Sequence, residues 1–195
     1  RAVNAGMNVK KALEFIRQIK AHKDIPIGLL MYYNLICNYG TEKFFEDFHN
    51  AGVNSILVAD LSIDDADELT KPAQTAGLDT VFMVTPVTTA QRKKLIASKT
   101  TGFIYTVSVL GVTGSREKLS DTAASLVGEL KQLTEVPVCV GFGISSPDQA
   151  AAVAAAGADG VIIGSRIVSV IENNLADKNK MLAEIADFIH NTKKA

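Results

Sequence analysis

The feature that most constrains this chain is a strict alternation of short apolar, β-rich runs with amphipathic stretches at helical period. The runs are Ile25 to Met31, Ser55 to Ala59, Thr80 to Thr85, Gly102 to Val107, Val136 to Gly141 and Gly160 to Gly164. None shows polar alternation, which is expected of parallel strands covered on both faces. The intervening segments predict helices over Val9 to Ala21, Thr41 to Ala51, Asp64 to Ala76, Thr89 to Ser98, Asp121 to Leu133 and Pro147 to Ala156, then Arg166 to Asn174 and Lys178 to Lys193. Ala51-Gly52, Ala76-Gly77 and Ala156-Gly157 place glycine where a helix closes in the left-handed region. Ser146-Pro147-Asp148-Gln149 reads as a capping box, with glutamine reaching back.

Strict β-α alternation means a parallel sheet, either doubly wound or closed into a barrel. No run is followed by a GxGxxG turn, and glycine-rich ends cluster on the last two runs, Gly141-Phe142-Gly143 and Gly164-Ser165. Barrels bind phosphate with the loops after strands seven and eight and a short helix N-terminus. The fold class expected is therefore α/β, a TIM (β/α)8 barrel with strands three to eight visible. A full barrel takes ~250 residues and a β-α unit ~30, so 195 residues read as a single barrel domain, 1–195, incomplete at its N-terminus.

Composition narrows the function. A net charge of −1 without a basic run gives no footprint for nucleic acid or anionic membrane. No apolar stretch approaches the ~20 residues that span a bilayer. Cys37 and Cys139, each in an apolar run, read as buried reduced thiols of a cytoplasmic protein. His22, His49 and His190 fall on polar helix faces, and neither metal-ligand spacing nor a Ser-His-Asp set is evident. Gly111-Val112-Thr113-Gly114, Gly141-Phe142-Gly143 and Gly164-Ser165 are the segments suited to a phosphate, because glycine lets backbone N–H groups converge on an anion. Shaping tight turns is the alternative use of each. Asp60 is the carboxylate at a strand end, so unaided reasoning nominates it as general base.

Five segments, in order, carry a resemblance: IPIGLLMYYN (Ile25 to Asn34), GVNSILVAD (Gly52 to Asp60), YTVSVLGVTG (Tyr105 to Gly114), GFGIS (Gly141 to Ser145) and ADGVIIGS (Ala158 to Ser165). Together they resemble the tryptophan synthase α-subunit family across essentially the whole chain. That resemblance implies a lyase of aromatic amino acid biosynthesis, cleaving indole-3-glycerol phosphate to indole and glyceraldehyde 3-phosphate by a retro-aldol step. It implies a cytoplasmic α2β2 heterotetramer whose β-subunit takes the indole and holds the pyridoxal phosphate, with no cofactor in this subunit.

Carried over by position, the resemblance makes Gly114, Gly143, Gly164 and Ser165 the phosphate cradle. Leu30, Leu57 and Phe142 become walls around indole, although Leu30 and Leu57 also read as ordinary barrel packing. Tyr105 and Thr113 become supporting catalytic residues, Thr113 on a closing loop. Tyr33, Asn34, Asp60 and Ser62 fall in the part facing the β-subunit. Asp60 is thereby a structural or interface residue, and Ser62 stands where the family usually has proline. The family's essential glutamate and aspartate are expected upstream of Arg1, so this chain alone is expected to be inactive. The alternatives are a catalytically incomplete fragment that binds phosphate or the β-subunit, and another phosphate-binding barrel enzyme.

Overall fold

The structure is a computed structural model and describes residues 2–107, 121–141 and 143–195, with the backbone alone at Asp121. It contains two compact units, Arg1–Phe82 with Ser98–Gly102, and Met83–Ala97 with Phe103–Ala195.

The first unit runs α1 (Val9–His22), β1 (Gly28–Met31), α2 (Tyr33–Tyr39), α3 (Thr41–Asn50), β2 (Ser55–Val58), a single 3₁₀ turn (Ile63–Asp65), α4 (Asp67–Thr75) and most of β3 (Asp79–Val84). Its strands are parallel, with Leu30 opposite Leu57 and Leu57 opposite Val81. The core is aromatic. Phe44, Phe45 and Phe48 lie on one face of α3 and are fully or almost fully buried. Phe44 and Phe48 stack with centroids 4.2 Å apart, and Tyr39 meets both edge-on at 5.9 and 6.3 Å. Each buried ring contributes roughly 2–3 kcal/mol. The Tyr39 hydroxyl satisfies itself by donating to Asp47 at 2.6 Å.

Three sequence expectations change here. Helix α2 has no counterpart among the helices predicted from periodicity. The single helix expected from Asp64 is instead a 3₁₀ turn followed by α4, because Ser62 caps Asp64 and the register restarts at Asp67. Cys37, expected to be buried, is exposed on α2, since the buried residue of that short helix is Ile36. The glycine closures hold, with φ of 97° at Gly52, 80° at Gly77 and 91° at Gly157.

The second unit continues with α5 (Ala90–Lys99, through Ala97), β4 (Ile104–Val107), α6 (Asp121–Leu133), β5 (Val138–Gly141), α7 (Pro147–Ala155), β6 (Gly160–Val161), α8 (Ser165–Asn173) and α9 (Lys178–Lys194). Strands β4, β5 and β6 are parallel neighbours, with Thr106 opposite Val140 and Val140 opposite Val161. Ile104, Val138, Val140, Leu130 and Val153 fill the interior. One charge is buried with them: Lys93 is 7% exposed, and its ammonium meets Glu129 of α6 at 2.6 Å.

Strand β6 is shorter than the expected run to Gly164. Its start is pinned by Asp159, which accepts from the Val138 N–H at 2.7 Å and from Lys131 at 3.0 Å. These partners, the backbone N–H first, hold the Asp159 carboxyl below its usual range. A carboxylate depressed in the folded state adds stability above its unfolded pKa of about 4 and loses it as pH falls through the folded value. Urea midpoints measured from pH 7 down into this acidic range should therefore fall more steeply for the wild type than for Asp159→Asn. Parallel curves would show that the carboxylate does not pin β6.

Candidate functional site

In the second unit, the ends of β5 and β6 define one edge. Gly143 and Gly164 each come three residues in sequence after the register pair Val140 and Val161 of these adjacent parallel strands. Gly143 turns the chain with φ of 85°. Ile144 then tucks into the core at 4% exposed, and Ser146 starts α7 by accepting from the Gln149 N–H at 3.3 Å. After β6 the chain passes Ile162, whose N–H still donates to Val140, and reaches Gly164, the residue before α8.

Gly164 has no side chain with which to cap the helix. The first turn of α8, with the positive end of its dipole, begins at an exposed Gly164-Ser165 corner. No acidic residue occupies that first turn. Arg166 adds positive charge, its guanidinium lying 5.7 Å from the Phe188 ring centre. A side chain at Gly164 would meet nothing within 4 Å. Chemically this is a place for an anion.

Tyr105 lies on β4 opposite Cys139 and is 7% exposed. Its ring is seated directly over Gly141, where an added Cβ would overlap the phenol. Burial pushes its hydroxyl above the ordinary phenol range, so it stays protonated at neutral pH and can donate.

In the first unit, Leu30 and Leu57 share one face of the sheet in register. Leu57 is packed at 4% exposed, whereas Leu30 on the outer strand is 63% exposed. Asp60 has a definite task. Its Oδ1 accepts from the Tyr33 N–H at 2.8 Å and thereby caps α2 from a distant loop. The Tyr33 hydroxyl donates to Glu68 at 3.0 Å, and its pKa is pushed up to about 12 by burial and then by that carboxylate. Ser62 caps the 3₁₀ turn, and Asn34 is exposed in the first turn of α2. His22, His49 and His190 are all exposed. Thr113, Gly114 and Phe142 lie outside the described residues. Among the described residues, no group of three His, Cys, Asp or Glu is arranged to hold a metal ion, and no helix is long and apolar enough to cross a membrane.

The sequence profile of the tryptophan synthase alpha chain matches residues 1–195. The chain belongs to the tryptophan synthase alpha chain family. It is 41% identical to the tryptophan synthase alpha chain of Methanothermobacter thermautotrophicus over 195 residues, covering 100% of this chain and 72% of that protein. The corresponding protein of Geobacter sulfurreducens is 41% identical over 189 residues, covering 97% of this chain and 70% of its own. A solved structure of the tryptophan synthase a2b2 complex from Pyrococcus furiosus superposes with a TM-score of 0.91 at 33% identity, covering 100% of this chain and 77% of that one. The fold is accordingly that of the tryptophan synthase alpha TIM barrel, with six parallel strands and flanking helices. An unrelated phosphate-barrel enzyme is not favoured.

Sequence reading missed two contributors to these loops. Glu68 was absorbed into a generic amphipathic helix, and the partner of Gln149 was placed one residue off. Gln149 reaches Ser145, whose N–H donates to its Oε1 at 2.7 Å, instead of the capping residue Ser146.

Proposed function

We propose that this chain carries the phosphate-holding part of a lyase that splits indole-3-glycerol phosphate into indole and glyceraldehyde 3-phosphate. The observation that supports this most is the exposed α8 start without a capping side chain, which follows β6 as the Gly143 turn follows the neighbouring strand β5. In this reading the N–H groups around Gly143, Gly164 and Ser165, with Gly114, bind the phosphate dianion. Backbone donors suit that task because they are already oriented and need no reorganisation as the substrate reacts.

The reaction breaks the bond between indole carbon 3 and the glycerol chain. An acid first protonates ring carbon 3; a base then takes the proton of the adjacent glycerol hydroxyl, the carbonyl of glyceraldehyde 3-phosphate forms, and the pair of the broken bond returns to the ring to restore indole. Leu30, Leu57 and Phe142 are assigned by family resemblance to the indole ring. Tyr105 and Thr113 are assigned supporting roles toward the catalytic carboxylates. A protonated, buried Tyr105 hydroxyl suits a donor that orients a carboxylate and does not itself take the proton.

The family's essential glutamate and aspartate have no counterpart in this chain, and Asp60 is engaged in capping α2. Indole release from indole-3-glycerol phosphate by this chain alone should therefore stay at the uncatalysed rate, followed by the colour reaction of free indole. Appreciable turnover would transfer the catalytic role to Asp60 or another acid of the chain. The complete assembly we propose is a cytoplasmic α2β2 complex in which the β-subunit holds pyridoxal phosphate and consumes the indole. Tyr33, Asn34, Asp60 and Ser62 are proposed to face that partner.

A further inference from the structure

The turn that presents Gly143 is built from few residues, and one side chain outside it closes it. β5 ends at Gly141, and Gly143, Ile144 and Ser145 come just before Ser146, which caps α7. Gly143 takes φ of 85° in that interval. On its far side the loop is fastened twice. Ile144 is inserted into the core, 4% exposed. Ser145 is clasped by Gln149, whose Oε1 accepts from the Ser145 N–H at 2.7 Å and from the Ser145 hydroxyl at 3.2 Å. The Gln149 N–H in turn donates to Ser146 Oγ at 3.3 Å.

A usual capping box ties the third helical residue to the capping residue itself. Here the tie reaches one residue further, into the loop. A clasp at Ser145 stabilises α7 no better than one at Ser146 would. What it adds is a fixed path for the backbone from Ser146 back to Gly143.

We infer that Gln149 is a positioning residue for the anion site, holding the Gly143 turn in register with the α8 start through Ser145. It touches no ligand itself. This rests on the proposal that Gly143, Gly164 and Ser165 bind a phosphate group.

The test uses the whole chain, labelled with ¹⁵N and titrated with inorganic phosphate. In the wild type, the amide signals of Gly143, Gly164 and Ser165 should shift together. Gln149→Leu keeps the side chain's bulk and removes the acceptor. It should bind phosphate about tenfold more weakly, the scale set by losing one or two hydrogen bonds. Its Gly143 signal should stop responding while Gly164 and Ser165 still shift, and its Ser145 N–H should exchange rapidly with solvent.

Gln149→Glu keeps an oxygen in place. Without phosphate, it should restore both the wild-type Gly143 signal and the protection of Ser145. Wild-type affinity in Gln149→Leu, with Ser145 exchanging freely, would overturn the positioning role while leaving the anion site intact. No response at Gly143, Gly164 and Ser165 in the wild type would remove the anion site, and the positioning role with it. Should Gln149→Leu not fold, Gln149→Glu decides alone: a displaced Gly143 signal with Ser145 unprotected overturns the inference.

Discussion

Replacing Gly141 by alanine is expected to destabilise the fold by about 3 kcal/mol, at the upper end of what overpacking costs. Gly141 sits in β5 in ordinary strand conformation, so alanine brings no backbone strain. The cost is steric. The three atoms nearest an added Cβ are the hydroxyl oxygen and two ring carbons of Tyr105, all too close to coexist with it. Tyr105 is 7% exposed, so its ring has little open space into which to retreat.

The clash assigns the rescue. Tyr105→Phe removes only the oxygen and leaves both ring carbons in the way, so it should not restore Gly141→Ala. Tyr105→Leu is shorter and should relieve the clash, so that Gly141→Ala adds nothing to the loss of about 2 kcal/mol that Tyr105→Leu causes alone by leaving space. In a urea-unfolding double-mutant cycle, Gly141→Ala and Tyr105→Leu should therefore couple by about 3 kcal/mol, the double variant losing no more than Tyr105→Leu does alone. Additive losses would mean that the Tyr105 ring is not seated on Gly141. The same pair should bear on function, since Tyr105 is proposed to orient a catalytic group and its position is set by a glycine on the next strand.

The parts of this molecule that sequence made legible are those governed by neighbours in the chain. Short parallel strands, glycine at helix ends and the Ser146 cap each follow from residues within about a turn of one another. Helix α2 does not. Its start has no local capping side chain, since Tyr32 supplies none, and the acceptor for its first N–H is Asp60, across from another strand. A helix of seven residues is too short to declare itself by period alone.

Lys93 failed to show for a related reason. In sequence it is one of several charges on a polar helix, and its ion pair with Glu129 of α6 is what makes its burial tolerable. Asp60 shows how the two kinds of evidence divide on the candidate site. Position at a strand end nominates it for catalysis, whereas its hydrogen bond to Tyr33 gives it a structural occupation. The glycine-rich strand ends were legible as candidates, yet whether an anion can reach them depends on the missing cap of α8. That is a property of backbone geometry, which no single residue announces.

Gly164→Asp should separate stability from binding at that helix start. Three other helices are capped by side chains: Asn8 on α1, Ser146 on α7 and Asp177 on α9 each accept from a first-turn N–H. An aspartate at Gly164 has open space for its side chain. It can accept from the same N–H groups and meets the positive end of the dipole. Thermal unfolding should therefore show a neutral effect or a gain of about 0.5 kcal/mol. Phosphate binding should respond in the opposite direction. The carboxylate occupies the donors and places a like charge beside a dianion, so affinity should fall about 100-fold.

Gly164→Ala is the control, because it adds a Cβ in the same open space without an acceptor or a charge. As a poor capping residue it should lower stability by about 0.5–1 kcal/mol while leaving phosphate affinity within about threefold. The expected order is thus aspartate, glycine, alanine for stability, and glycine, alanine, aspartate for binding. Steric occlusion of the site would instead weaken both variants together. Undiminished binding in Gly164→Asp would mean that the anion does not sit at the start of α8, and the assignment of Gly164 and Ser165 would fall with it.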